Sequence, residues 1–132
     1  MGLELGQNAQ AAVVSRGLAE IACLGCKMGA NNTTFYGLGG VGDLLLTCTS
    51  SLSRNQRIGV GLAQGESLQA ISRKLGQVAE GVHTARSIAR LAEKHKVTMP
   101  ICNAVCRVLF EQADPRKAVG DLLRRQLTQE AE

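Results

Sequence analysis

Fourteen consecutive residues hold the densest set of groups that could do chemistry: Gly42-Asp43-Leu44-Leu45-Leu46-Thr47-Cys48-Thr49-Ser50-Ser51-Leu52-Ser53-Arg54-Asn55. An aspartate entering a run of leucines is costly if it is buried without a partner, so Asp43 is a candidate ligand or catalytic-site residue. Ser53, Arg54 and Asn55 stand together where a helix is expected to begin. They offer a hydroxyl, a guanidinium fork, a carboxamide and unsatisfied backbone N–H groups, which is chemistry suited to phosphate. The alternative is a plain helix cap followed by a surface arginine.

Three other patterns compete for attention. Gly37-Leu38-Gly39-Gly40-Val41-Gly42 matches G-x-G-x-x-G. That fingerprint cradles a dinucleotide only between a strand and a helix, and the preceding Asn31-Asn32-Thr33-Thr34-Phe35-Tyr36 is no buried strand. A turn where backbone comes close to a ligand, or an ordinary helix break, fits better. Cys23-Leu24-Gly25-Cys26, with Cys102 and Cys106 at i, i+4, could make a four-thiolate zinc site. Cys23 and Cys26 fall inside a helical pattern rather than on a tight turn, so core thiols are expected and no metal site is assigned. His83 and His95, twelve residues apart, point about 120° apart around a helix and read as surface histidines.

The elements that would position these groups are helical. The chain has 132 residues, enough for one domain with its own core. Phe35, Tyr36 and Phe110 are its only aromatics, and Pro100 and Pro115 its only prolines. The core therefore rests on Leu, Val, Ile and Ala, and an all-α fold of about seven helices follows. Arg16, Glu20, Cys23 and Lys27 form a narrow polar stripe on the first helix, which marks it as central and mostly buried. Ser53 and Ser67 are expected N-caps, with Gly65 and Gly76 as stops. Val82, Ala85, Ile88, Ala89 and Ala92 make one face of an amphipathic helix; Pro100 opens the next, and Asp114-Pro115 the last. The segment from Gly42 to Thr49 is helix or strand by its pattern, and its helical neighbours favour helix.

Apolar runs are too short to span a bilayer, and the first residues lack the layout of a secretion signal, so a cytoplasmic protein without membrane attachment is expected. The net charge is +4, but acids and bases interleave along the chain. With three scattered rings there is no stacking platform for nucleic acid, and no nucleic-acid partner is expected.

The stretch G-D-L-L-L-T-C-T-S followed by S-R-N closely resembles the C-terminal domain of NAD(P)-dependent glycerol-3-phosphate dehydrogenases of the bacterial and organellar type. The likeness extends through Asn8–Leu18 (N-A-Q-A-A-V-V-S-R-G-L), Gly76–Val82 (G-Q-V-A-E-G-V) and Met99-Pro100, essentially the whole chain. The resemblance implies an oxidoreductase interconverting sn-glycerol 3-phosphate and dihydroxyacetone phosphate for phospholipid synthesis. It also implies a helical domain like that at the C-terminus of 6-phosphogluconate dehydrogenase. Carried over by motif, Asp43, Ser53, Arg54 and Asn55 would bind substrate, while Arg54, Val78 and Glu80 would contact the cofactor. Taken without the resemblance, Glu80 is an ordinary helix-start acid.

The family's proton-acceptor lysine has no counterpart here, because Lys27, the first lysine, lies in the helix after that position. The family's Rossmann domain, which carries most of the NAD or NADP site, is likewise unmatched. Residues 1–132 are thus expected to be the substrate-binding helical part alone, starting at a truncation, inactive by itself, and open to homo-oligomer formation over an uncovered apolar groove. The alternative is a helical anion-binding or interaction domain derived from that enzyme and lacking catalysis.

Overall fold

The computed structural model describes residues 2–76 and 80–130. Among the described residues there are eight α-helices and no strand: α1 (Gln7–Lys27), α2 (Asn32–Phe35), α3 (Asp43–Thr49), α4 (Arg54–Ala63), α5 (Leu68–Leu75), α6 (Glu80–Lys94), α7 (Pro100–Phe110) and α8 (Pro115–Glu130). A single π-helical turn, Leu38–Gly42, joins α2 to α3. The all-α expectation holds, with eight helices in place of about seven.

Local chemistry explains most of the boundaries. The Ser53 hydroxyl accepts the Gln56 N–H at 3.3 Å, and the Ser67 hydroxyl accepts the Ala70 N–H at 3.2 Å, each satisfying an orphan donor of the helix it starts. Gly76 ends α5 at φ 75°, a left-handed conformation that side chains resist. Helix α6 ends in the same way without a glycine. Lys96 sits at φ 54°, while its N–H and that of Val97 return to the carbonyls of Glu93 and Ala92.

Helix α7 lies at the centre, packed against α6, α1 and α8. One core cluster joins Ile58 of α4, Ile71 of α5 and Val82 of α6, with Leu109 and Phe110 of α7 against it. The other joins Leu24 of α1, Ala92 of α6 and Met99, with Val97 and Cys102 alongside. The Arg86 guanidinium lies 4.1 Å from the centre of the Phe110 ring and adds a cation–π contact between α6 and α7.

Helix α1 is central but not mostly buried. Only Leu18, Glu20, Ala22 and Leu24 are enclosed, and Ile21 remains 40% exposed. The polar stripe is also not uniformly a solvent face. Glu20 is 6% exposed, and its carboxylate accepts the N–H groups of Ile101 at 2.8 Å and Cys102 at 3.3 Å. Pro100 has no N–H, and Asn103 donates to the Met99 carbonyl, so Glu20 completes the donors of the first turn of α7 from a separate helix. Burial pushes its carboxyl above the usual range, opposed by the two backbone hydrogen bonds and by Arg16.

Candidate functional site

The grip expected at Ser53-Arg54-Asn55 is built by the turn between α3 and α4. Ser53 N–H donates to the Ser50 carbonyl at 3.1 Å, Leu52 N–H to the Ser50 hydroxyl at 3.2 Å, and the Arg57 Nε–H to the Ser51 carbonyl at 3.1 Å. These bonds hold the start of α4 in place. Because the Ser53 oxygen accepts the capping bond, its own O–H is left to donate elsewhere. Arg54 and Asn55 follow as the first two residues of α4, both exposed, at the positive end of a ten-residue helix.

Asn55 reaches across to the start of α6. Its carboxamide lies directly on Gly81, where an added Cβ would overlap Oδ1 and stand 2.8 Å from Cγ and 2.9 Å from Nδ2. Glu80, adjacent to Gly81, is exposed in the first turn of α6. The structure therefore brings together Asn55 and Gly81, 26 positions apart, one from the S-R-N motif and the other from the E-G of another. Val78 lies outside the described residues.

Asp43 departs from expectation. It is exposed in the first turn of α3, and the run of leucines after it does not enclose it: Leu45 is 47% and Leu46 67% exposed. There is no burial cost for a partner to offset, so the argument from a costly carboxylate does not apply. Asp43 stands at the opposite end of α3 from the grip, about 9 Å along the axis from Thr49 at 1.5 Å per residue.

A groove of about 580 Å³ runs along α4 from Asn55 to Ala63, lined among others by Cys48 of α3, Gly81 of α6, Val105 of α7 and Val119 of α8. It falls within the size range of small-molecule sites. Burial pushes the Cys48 thiol up.

The glycine-rich segment serves the chain itself. A Cβ at Gly40 would overlap the Phe35 backbone, and one at Gly25 would overlap the Phe35 ring, so these glycines let α2 settle against α1 and the π turn. The cysteines separate into different environments. Cys23 and Cys26 are exposed on α1, contrary to the core expected for them. Cys102 and Cys106 turn toward α6, where both thiols donate to the Ala85 carbonyl, at 3.8 and 3.4 Å. Burial, followed by neighbouring Cys106 and Glu20, drives the Cys102 thiol up to about 11. Among the described residues no group of three or more His, Cys, Asp or Glu could hold a metal. His83 is exposed and His95 half-buried. No helix among the described residues is long and apolar enough to cross a membrane.

Sequence reasoning assigned no role to Gly81 and placed Glu20 on a polar stripe. Glycine beside a helix-start acid was the only local sign of the first, and nothing local signals the second.

The described residues thus form an all-α domain with an open groove bordered by α3, α4, α6, α7 and α8. A family model described as NAD-dependent glycerol-3-phosphate dehydrogenase C-terminus matches residues 1–120, and the chain belongs to that family. It is 52% identical over 131 residues to glycerol-3-phosphate dehydrogenase [NAD(P)+] of Syntrophobacter fumaroxidans, covering 99% of this chain and 38% of that protein. To the protein of the same name from Janthinobacterium sp. it is 54% identical over 125 residues, 95% of this chain and 38% of the relative. The crystal structure of glycerol-3-phosphate dehydrogenase (gpsA) from Coxiella burnetii superposes with a TM-score of 0.88 at 43% identity, over 92% of this chain and 38% of that one. The chain thus spans well under half the length of these relatives.

Proposed function

We propose that this chain provides the substrate side of an NAD(P)-dependent glycerol-3-phosphate dehydrogenase, acting on sn-glycerol 3-phosphate or dihydroxyacetone phosphate in the cytoplasm to supply phospholipid synthesis. The observation that supports this reading is the contact of Asn55, at the start of α4, with Gly81, next to Glu80 at the start of α6.

Arg54 presents a planar fork for a phosphate dianion, reinforced by the positive end of α4. The Ser53 O–H donates to an ester or phosphate oxygen, and Asn55 offers both a donor and an acceptor to a hydroxyl. Glu80 accepts hydrogen bonds from hydroxyls of the cofactor, with Arg54 between the two ligands. Val78 belongs to the same cofactor contact by motif. Asp43 acts from the far end of α3, accepting hydrogen bonds at the glycerol end of the substrate and orienting the family's lysine. A bound nicotinamide would supply hydride chemistry at the secondary carbon, and Arg54, Val78 and Glu80 would be this chain's contacts to that cofactor.

The test is a backbone NMR titration with sn-glycerol 3-phosphate, with inorganic phosphate as control and Arg54→Ala as the comparison. Saturable shifts are expected at Ser53–Asn55 and Asp43, with Arg54→Ala weakening binding at least tenfold. Shifts elsewhere, or equal binding by the variant, overturn the assignment.

A further inference from the structure

Asn55 lies on Gly81 for a reason that the composition of the grip does not supply. Among the described residues no hydrogen bond holds the Asn55 side chain, and the surface its carboxamide touches is Gly81. The surface it packs on is the one position of the first turn of α6 without a side chain. A methyl group there would overlap Oδ1 and crowd Cγ and Nδ2. Real Cβ atoms do not approach so closely, and the part that can yield is the short, exposed Asn55 side chain rather than either helix.

We propose that Gly81 is a positioning residue: by lacking a Cβ it holds the Asn55 carboxamide across the start of α6, aimed at the ligand between Ser53–Arg54 on one side and Glu80 on the other. The inference rests on the reading above and names what sets the geometry of that site. With two donors and an acceptor unspent among the described residues, Asn55 can bond a hydroxyl-bearing ligand without breaking a bond to any of them. Pre-set direction spares the ordering cost that a freely rotating amide would meet on binding. Gly81 is thus a control point reached without touching the ligand.

The experiment follows the Asn55 side-chain amide by NMR in the chain and in Gly81→Ala, Asn55→Ala and the double variant, each titrated with sn-glycerol 3-phosphate. In the parent chain the amide should show contacts to the Gly81 α-protons. In Gly81→Ala the amide shifts and loses its contact with residue 81, the melting temperature changes little, and affinity falls about tenfold. Asn55→Ala should cost a similar factor, and the double variant no more than either single one, since the two act through one side chain. An unmoved amide and unchanged affinity in Gly81→Ala overturn the proposal, as do losses that multiply in the double variant. If the parent chain takes up no glycerol 3-phosphate, the functional reading fails, and the ligand half of this proposal with it; the amide contacts decide the positioning half separately.

Discussion

Replacing Glu20 tests the longest-range interaction in the fold. Its carboxylate, 6% exposed, serves two N–H groups at the start of α7, 81 and 82 positions away in sequence. Hydrogen bonds to a charged group contribute about 1.5–3 kcal/mol each, and loss of a helix cap typically costs about 1. Some of this overlaps, and water can reach part of the vacated space. Glu20→Ala is therefore expected to destabilise the domain by about 3–4 kcal/mol, a large share of a typical total of roughly 5–15. The melting temperature should fall by roughly 10–15 °C for a chain of this size. Glu20→Gln retains one acceptor but turns an amide N–H₂ toward a donor, so about 1–2 kcal/mol should be lost.

The pH dependence has a definite sign. Burial raises the Glu20 pKa in the folded state above its ordinary value of 4.5, so the folded state holds this proton more tightly than the unfolded chain. The stability due to that proton is complete below the unfolded-state pKa and is lost as pH rises through the raised folded-state value. Urea unfolding from pH 4 to 7 should show the advantage of the parent over Glu20→Gln shrinking as pH rises. A cost under 1 kcal/mol for Glu20→Ala would show that α7 does not depend on this cap. An advantage that grows with pH would show that the hydrogen bonds outweigh burial.

Four further outcomes are expected. Lys96→Gly should raise stability by about 0.5–1 kcal/mol by relieving the positive φ at the end of α6, measurable by urea unfolding; destabilisation would contradict it. Iodoacetamide at pH 8 should label exposed Cys23 and Cys26 well before Cys102, of which roughly one part in a thousand is thiolate there, as peptide mass mapping can check. The 132-residue chain alone should produce no NADH from glycerol 3-phosphate and NAD⁺ above a heat-treated control, and addition of a nucleotide-binding half bearing the lysine should restore turnover. Leu38, Leu46 and Leu52, between 67% and 93% exposed, should drive concentration-dependent self-association, which a strict monomer in light scattering would refute.

What the sequence by itself determined is local. Ser53, Ser67, Gly76 and Pro115 mark their helix ends because each acts within about four residues of itself, and the alternation of apolar and polar residues in α6 already specifies its buried face. The helix starts at Ser53–Asn55 and at Glu80 were legible for the same reason, since a motif of fixed spacing accompanies each. Tertiary packing decided the rest. Asp43 and its leucines form an apolar run whose exposure depends on what lies against α3, and nothing among the described residues covers Leu45 or Leu46. Cys23 and Cys102 share a residue type but differ in environment, because α7 faces α6 and that side of α1 faces solvent. Glu20 reads as one more residue of a polar stripe until α7 places two unsatisfied N–H groups over it. The partnership of Asn55 with Gly81 likewise exists only once α4 and α6 meet, since the direction of a side chain without a local hydrogen bond is set by the surface it touches.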